Sequence, residues 1–468
     1  MSESTSATAT VPARPRRAKS PDGFRSFMVI WAAQLVARVG NGLTAFGLAV
    51  QVYHQTRSST AVAVVMLAAF LPGVLLTPLG GVLADRFDRR LLMIMGDTFS
   101  AIGLVVLLLA FRDGVASVAV VCACVALSSV FTSVMDPAYR ATVTDLLTPE
   151  QYTRAGGLVQ FASAAQFLVS PAIAGLLMAH FGIQLVLVLD ITTMIVTTTC
   201  MVLVWRRIGS MRPSVRHSIR NDLSVGVGFL IRHRGITVLM VLATLVTFCM
   251  GFLQTLLTPM LLELSDEQTL GLVRSLAAVG MLVSSLAISL FTMRHRQSTY
   301  LSLSLAVAGV AVAAMGITVD VVWIGIFAFL FFLTLPVLNT SVEVLARASI
   351  PNAVQGRVWG LMGLISQLGY VVAYTVSGVL ADAVFTPLLT ADGALAGSLG
   401  RLIGVGSSRG IGLMLVLVAA VLLGLAAVTP RLRSIGELDN HLRQTTAQTK
   451  EIGSCGSSRS LPRDWSPP

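Results

Sequence analysis

Arg38 stands inside a long apolar run, with Gln34 one turn before it and Asn41 shortly after. On a helix that spacing lets all three lie on one face. Asp97, Asp190 and Glu343 interrupt other apolar runs. A charge at the centre of a bilayer costs about 2.5–3.5 kcal/mol on insertion scales, so each of these groups should meet a cavity or a partner. For Arg38 two readings stay open: a polar cavity wall that binds a ligand or biases a proton site, or a buried cation paired with an acid. Asp190, followed by Ile191, Thr192 and Thr193, is the best candidate proton carrier, because a carboxyl in apolar surroundings can take up and release a proton. Asp97 lies two turns from a basic loop and is expected to pair with that loop's arginines. Glu343 precedes Arg347 by four residues and should pair with it.

Other chemistries find no support. The six histidines (His54, His180, His217, His233, His295, His441) are scattered, and no cluster has metal-ligand spacing. Cys122, Cys124, Cys200 and Cys249 lie in apolar runs and Cys455 stands alone, which gives no disulfide framework. No catalytic constellation or glycine-rich phosphate loop is present, so neither an enzyme nor a nucleotide-driven pump is expected, and no cofactor or metal.

The elements that must carry these residues follow from composition. Hydrophobic residues make up 55% of the 468 and charged residues 12%, with a mean hydropathy of +0.81. A soluble chain carries roughly twice that charge. Apolar stretches of membrane-spanning length recur at 27–53, 60–84, 91–111, 115–138, 154–179 and 182–205, then at 236–262, 269–291, 299–318, 321–347, 355–384 and 409–429. The expected fold is all-α, with twelve transmembrane helices in two six-helix bundles, 27–205 and 236–429. Residues 1–26 and 430–468 read as polar cytoplasmic tails, the first of them disordered. Residues 206–235 form a basic linker in which Ile219, Leu223, Val227, Leu230 and Ile231 make an apolar stripe, predicting an amphipathic helix on the inner membrane face.

Orientation comes from the basic residues. Of the 33 lysines and arginines, 27 fall in the tails, the linker and the loops of one side; five (Arg57, Arg112, Arg274, Arg401, Arg409) fall on the other, and Arg38 lies in the first span. That bias places both termini inside. The net charge of +11 is thereby accounted for by anionic headgroups, and no nucleic-acid partner is implied.

A shift of about 203 residues sets Asp136 on Asn339, Arg140 on Glu343, Arg154 on Arg357 and Gly175 on Gly378. The fourth and fifth spans thus correspond to the tenth and eleventh, as in transporters built from parallel six-helix repeats. A second echo, Gly81-Val82-Leu83-Ala84-Asp85 against Gly378-Val379-Leu380-Ala381-Asp382, ends at opposite faces and is read as chance.

The sharpest local signal joins the second and third spans: Gly80-Gly81-Val82-Leu83-Ala84-Asp85-Arg86-Phe87-Asp88-Arg89-Arg90. Arginines alone would satisfy topology, but Asp85, Asp88 and the glycine pair need another reason. The run resembles motif A of the major facilitator superfamily, with Asp88 where that family usually has glycine. Asp136-Pro137-Ala138-Tyr139-Arg140, Gln355-Gly356-Arg357-Val358 and Ser170-Pro171-Ala172-Ile173-Ala174-Gly175, similar to an antiporter motif with Pro171 and Gly175 retained, narrow the resemblance to bacterial drug and siderophore exporters. The resemblance implies that Gly81, Asp85, Arg86, Arg89 and Arg90 form a gate. In it Asp85 would meet the start of the eleventh span and Arg89 would pair with Asp136, latching the outward-facing state. It implies a monomeric, proton-coupled exporter of a small amphipathic molecule in the bacterial inner membrane, with its cavity between spans 1, 4, 7 and 10 and also 2, 5, 8 and 11. A small-molecule importer or a non-transporting sensor of the same fold are the alternatives.

Overall fold

The computed structural model describes residues 23–148, 151–205, 219–290, 296–351, 354–390, 392–398 and 400–440. The disorder expected of 1–26 falls almost wholly outside them, as do Arg206, Arg207, Arg212, Arg216 and Arg294.

The described chain is helical, with no strand among the described residues. The first six spans are α1 (Gly23–Thr56), α2 (Ser59–Arg86), α3 (Arg89–Ala110), α4 (Val118–Leu146), then α5 (Tyr152–Leu168) with the start of α6, and the rest of α6 (Ser170–Trp205). The run Arg154–Val204 is a continuous, largely apolar stretch of 51 residues. At 1.5 Å per residue it is about twice the thickness of a hydrocarbon core, so it must cross twice. The turn is at Gly182, whose φ of +73° an L side chain rarely adopts. The linker helix follows as α7 (Ile219–Arg232), then α8 (Arg234–Leu264), α9 (Glu267–Leu290), α10 (Gln297–Ile317), α11 (Val321–Ser349) and α12 (Gln355–Leu380). A single π turn at Ala381–Phe385 and the short helices α13 (Thr386–Leu388) and α14 (Gly400–Ile403) lead to α15 (Ser407–Val428), the twelfth span.

Polar caps set the breaks between spans. Ser58, Ser117 and Asp320 each accept a hydrogen bond from a first-turn N–H of α2, α4 and α11, which satisfies donors that lipid cannot. Small residues bring the spans together. A Cβ on Gly80 would collide with the Ser133 carbonyl of α4, and one on Gly316 with that of Gly412 of α15.

The amphipathic helix forms and packs onto the beginning of α12, Gly226 lying against Arg357 and Leu361, with Leu230 buried and Ile231 exposed. The described part of the C-terminal tail is not simply polar chain: 433–440 is helical, Ile435 is fully buried, and Asp439 accepts from Gln297 N and Ser298 Oγ at the start of α10.

Candidate functional site

The loop between α2 and α3 is built by its own charges. Asp88 caps α3, accepting from Arg90 N at 3.0 Å, and its two oxygens also take the Arg90 guanidinium at 2.9 and 2.6 Å. These bonds from Arg90 hold the Asp88 carboxyl below its ordinary pKa. An aspartate where motif A usually has glycine is thereby explained: it starts the next helix.

Arg89 reaches across to α4 but at another level than expected. It donates to Ala84 O at 3.2 Å and to Ala141 O at 3.5 Å. Ala141 lies five residues beyond Asp136, about 7.5 Å further along the helix, and the described partner of Asp136 is Arg38, at 3.5 Å. In this structure Asp136 faces Arg38, so Arg38 does have an acid; the Arg89–Asp136 pair implied by the resemblance belongs to an outward-facing latch. Gly81 has nothing within 4 Å of a would-be Cβ. Arg86 is exposed. Asp85 is helical in its backbone, and its side chain lies outside the described residues.

Above this loop, a cavity of about 610 Å³ penetrates the first bundle, walled by Asn41, Thr44, Asp136, Arg140, Gln166 and Asp190 among others. Asp190 is 1% exposed and accepts from Thr44 Oγ1 at 2.5 Å and from Thr193 Oγ1 at 3.3 Å. A second cavity of about 900 Å³ separates α2 from α12, from Phe70 at mid-membrane to Gly356 and Arg357 at the arginine-rich end. The two share Ala69, Gly73, Thr77 and Ser129. Their walls come from spans 1 to 6 and 11; the expected seventh, eighth and tenth spans line neither.

At the opposite face the halves meet. Tyr53 OH donates to Glu263 at 2.7 Å, His54 Nε2 lies 3.2 Å from Glu267, and Arg57 lies 3.9 Å from Glu263. Pro171 and Gly175 sit at the tightest approach: Gly175 and Gly271 are packed so that a Cβ on either would strike backbone of the other helix. The Ala172 N–H, left without an intrahelical bond near the break between α5 and α6, donates to Ser275 Oγ at 3.0 Å. Asp382 accepts from Ser58 and from the backbone of Ser59 and Thr60. Between this seam and the cavities, Phe70 contacts the rings of Tyr370 and Tyr374, and Tyr374 OH donates to Gln254.

The remaining candidates divide. Gln34 is buried with its Nε2 unbonded. Asp97 is 4% exposed and its Oδ2 has no hydrogen-bond partner, so the expected pairing with loop arginines does not form. Asp97 lies on the buried face of α3, one turn beyond Met93, and the loop's Arg90 is taken by Asp88 instead. Glu343 pairs with Arg347 as spacing predicts, both exposed and outside the two cavities. Arg274, counted among loop charges, lies two turns inside α9; it donates to Thr258 and Gln254 O and stands 5.8 Å from the Phe46 ring. Sequence reasoning passed over Tyr53, Glu263 and Asp382 because acids at span ends look like loop residues. The one signal for Asp382 was its literal echo of the Gly81–Asp85 run.

Comparison with known proteins agrees with this architecture. Residues 30–374 match the family model described as Major Facilitator Superfamily. Macrolide efflux protein A of Streptococcus pyogenes is 24% identical over 366 residues, 76% of this chain and 89% of that protein. Multidrug efflux pump Tap of Mycolicibacterium fortuitum is 29% identical over 165 residues, 33% of this chain and 39% of that one. Among solved structures, the POT family transporter PepTSo superimposes with a TM-score of 0.68 at 12% identity, covering 88% of this chain and 98% of that one. With twelve helical spans in two halves and a family model matched over residues 30–374, this multi-pass membrane protein belongs to the Major Facilitator Superfamily.

Proposed function

We propose that the chain is a proton-coupled exporter of small amphipathic molecules, working by alternating access as a monomer in the bacterial inner membrane, with both termini cytoplasmic. The observation that carries this reading is the asymmetry of the seam between the halves. It is sealed at one face by Tyr53–Glu263 and Gly175–Gly271 and holds a cavity of about 900 Å³ toward the other. By the positive-inside rule the cavity side is cytoplasmic, which makes this the inward-open half of a cycle.

Asp190 is the proton carrier in this reading. It is a buried carboxyl at the cavity wall, bonded to two threonine hydroxyls and to no cationic side chain among the described residues. Asp136 and Arg140 bring charge to the wall of the same cavity, and Arg38 pairs with that Asp136. The polar wall of the first cavity beside the Phe70, Val74, Pro78, Trp359, Leu361 and Leu364 wall of the second suits an amphipathic cargo, and the relatives named for macrolide and multidrug efflux support the drug class.

The test is transport in proteoliposomes with a labelled macrolide as first probe. An imposed proton gradient should drive its movement against the proton flow, and Asp190→Asn should abolish that drive while leaving gradient-free counterflow. Movement unaffected by the proton gradient would refute the coupling; no movement of any amphipathic drug would refute export.

A further inference from the structure

The two copies of the sequence Gly-Val-Leu-Ala-Asp end at opposite faces of the membrane, and the structure puts them on one pair of helices. The first copy, Gly81–Asp85, closes α2, and the second, Gly378–Asp382, runs from the end of α12 into the following turn. Helices α2 and α12 belong to different halves, run in opposite directions and face each other across the interface: Gly378 meets Thr60 near one face, and Phe70 meets Tyr370 and Tyr374 at mid-membrane. The parallel repeat does not relate these copies. An in-plane two-fold axis does, of the kind that the inverted three-helix units within each half generate.

At the sealed face the second copy is engaged. Asp382 accepts from Ser58 Oγ at 2.6 Å, from Thr60 N at 2.8 Å and from Ser59 N at 3.1 Å, so its carboxylate caps the first turn of α2 from the other half. The α2 dipole favours that charge. Gly378 makes the approach possible, since a Cβ there would lie 2.6 Å from Thr60 Cα and 2.7 Å from Ser59 O. At the cavity face the corresponding places stand apart. Val354, at the α12 N-cap position, makes no cap bond of its own, Gly81 has nothing within 4 Å, and the larger cavity lies between Pro78 of α2 and Gly356 of α12.

We propose that Asp382 with the α2 N-terminus is the outer member of a reciprocal pair of helix-cap latches, whose inner member is Asp85 with the α12 N-terminus. Each half-cycle exchanges one carboxylate–helix contact for its mirror, so neither state gains or loses a charge–dipole bond overall. Asp382 is a positioning residue for transport, and it stabilises the state with the outer face closed. The inference rests on the alternating-access reading above.

The experiment is a distance measurement between spin labels on the full-length protein in nanodiscs, in a background lacking the native cysteines. Val115→Cys with Val319→Cys reports the outer face, and Tyr152→Cys with Glu437→Cys the cytoplasmic face. Asp382→Ala should shift the ratio of outer-closed to outer-open forms about five- to tenfold toward open, as loss of a cap with its charge implies. Asp382→Asn, which keeps an acceptor, should shift it less. Asp85→Ala should shift the ratio the other way, and the double variant should return near the parent. Gly378→Val, which keeps the carboxylate but wedges the contact, should also favour the open form and guards against misfolding of the aspartate variants. Distances that anticorrelate in the parent yet stay unchanged in Asp382→Ala and Gly378→Val overturn the latch alone. Distances that never anticorrelate overturn alternating access and the latch with it.

Discussion

Thr44 of α1 donates a hydrogen bond of 2.5 Å to Asp190 of α6, joining two helices of the first bundle at the wall of its cavity. The nearest backbone is equally tight: a Cβ on Gly40 would press on Asp190 Oδ1. The carboxyl is held in one place at the cavity wall. Asp190→Asn keeps the shape and an acceptor for Thr44, so we expect normal folding, with proton-driven flux reduced to the protein-free background. Flux and thermal unfolding measured side by side check this.

Arg38 and Asp136 are 20% and 45% exposed in their side chains. A pair so exposed contributes about 0.2–1 kcal/mol to stability. Arg38→Ala should therefore move the melting temperature little and lower transport severalfold, because it leaves Asp136 in the cavity wall without the Arg38 guanidinium. The exchange Arg38→Asp with Asp136→Arg should recover most of the flux if the pair itself is what matters. Initial rates of macrolide transport in the three proteins decide the point.

Gly271 packs against the Pro171 carbonyl, and Gly175 against the Glu267 carbonyl. Gly271→Ala overpacks this seam, at a cost of about 1–3 kcal/mol to the closed form. It should raise the reactivity of a cysteine at Ser275 toward a membrane-impermeant thiol reagent added outside. Unchanged labelling rates would contradict the close approach.

Asp88 supplies the pH-dependent contact of the motif loop. Its carboxyl is held below the ordinary value by Arg90, so its contribution to stability is complete above about 3.9, the unfolded value, and fades as pH falls through the lower folded value. Thermal stability should thus show no Asp88-dependent change between pH 5 and 8, and Asp88→Ala should cost about 0.5–2 kcal/mol there as a lost helix cap. Melting curves of the two proteins at pH 7 and in acid would reveal the converging difference.

Much of the fold was legible because lipid imposes simple rules. Spans of about 20 apolar residues, arginines on alternate loops and polar caps such as Ser58 and Asp320 are local features. Even the reversal at Gly182 was approached within a few residues, since an apolar run of 51 residues has only one sensible division. Glu343–Arg347 was legible for the same reason, being one helical turn. The site was less so. Asp97 was assigned to loop arginines on its distance from the surface, but the direction of a side chain around its helix decides its partner, and Asp97 faces inward.

The sequence by itself determined that the chain crosses a membrane twelve times in two related halves, which basic loops share a side, and that a charged run similar to motif A joins the second and third spans. Those are properties of composition and spacing along one strand of chain. Only the tertiary structure decided that Asp136 meets Arg38, that Glu263 and Asp382 seal one face, and that Gly378–Asp382 sits opposite the end of α2 that its twin does not occupy. Residues 210 and more positions apart became neighbours through helix packing between halves. Such contacts depend on the rotation and depth of each helix, which apolar length leaves free.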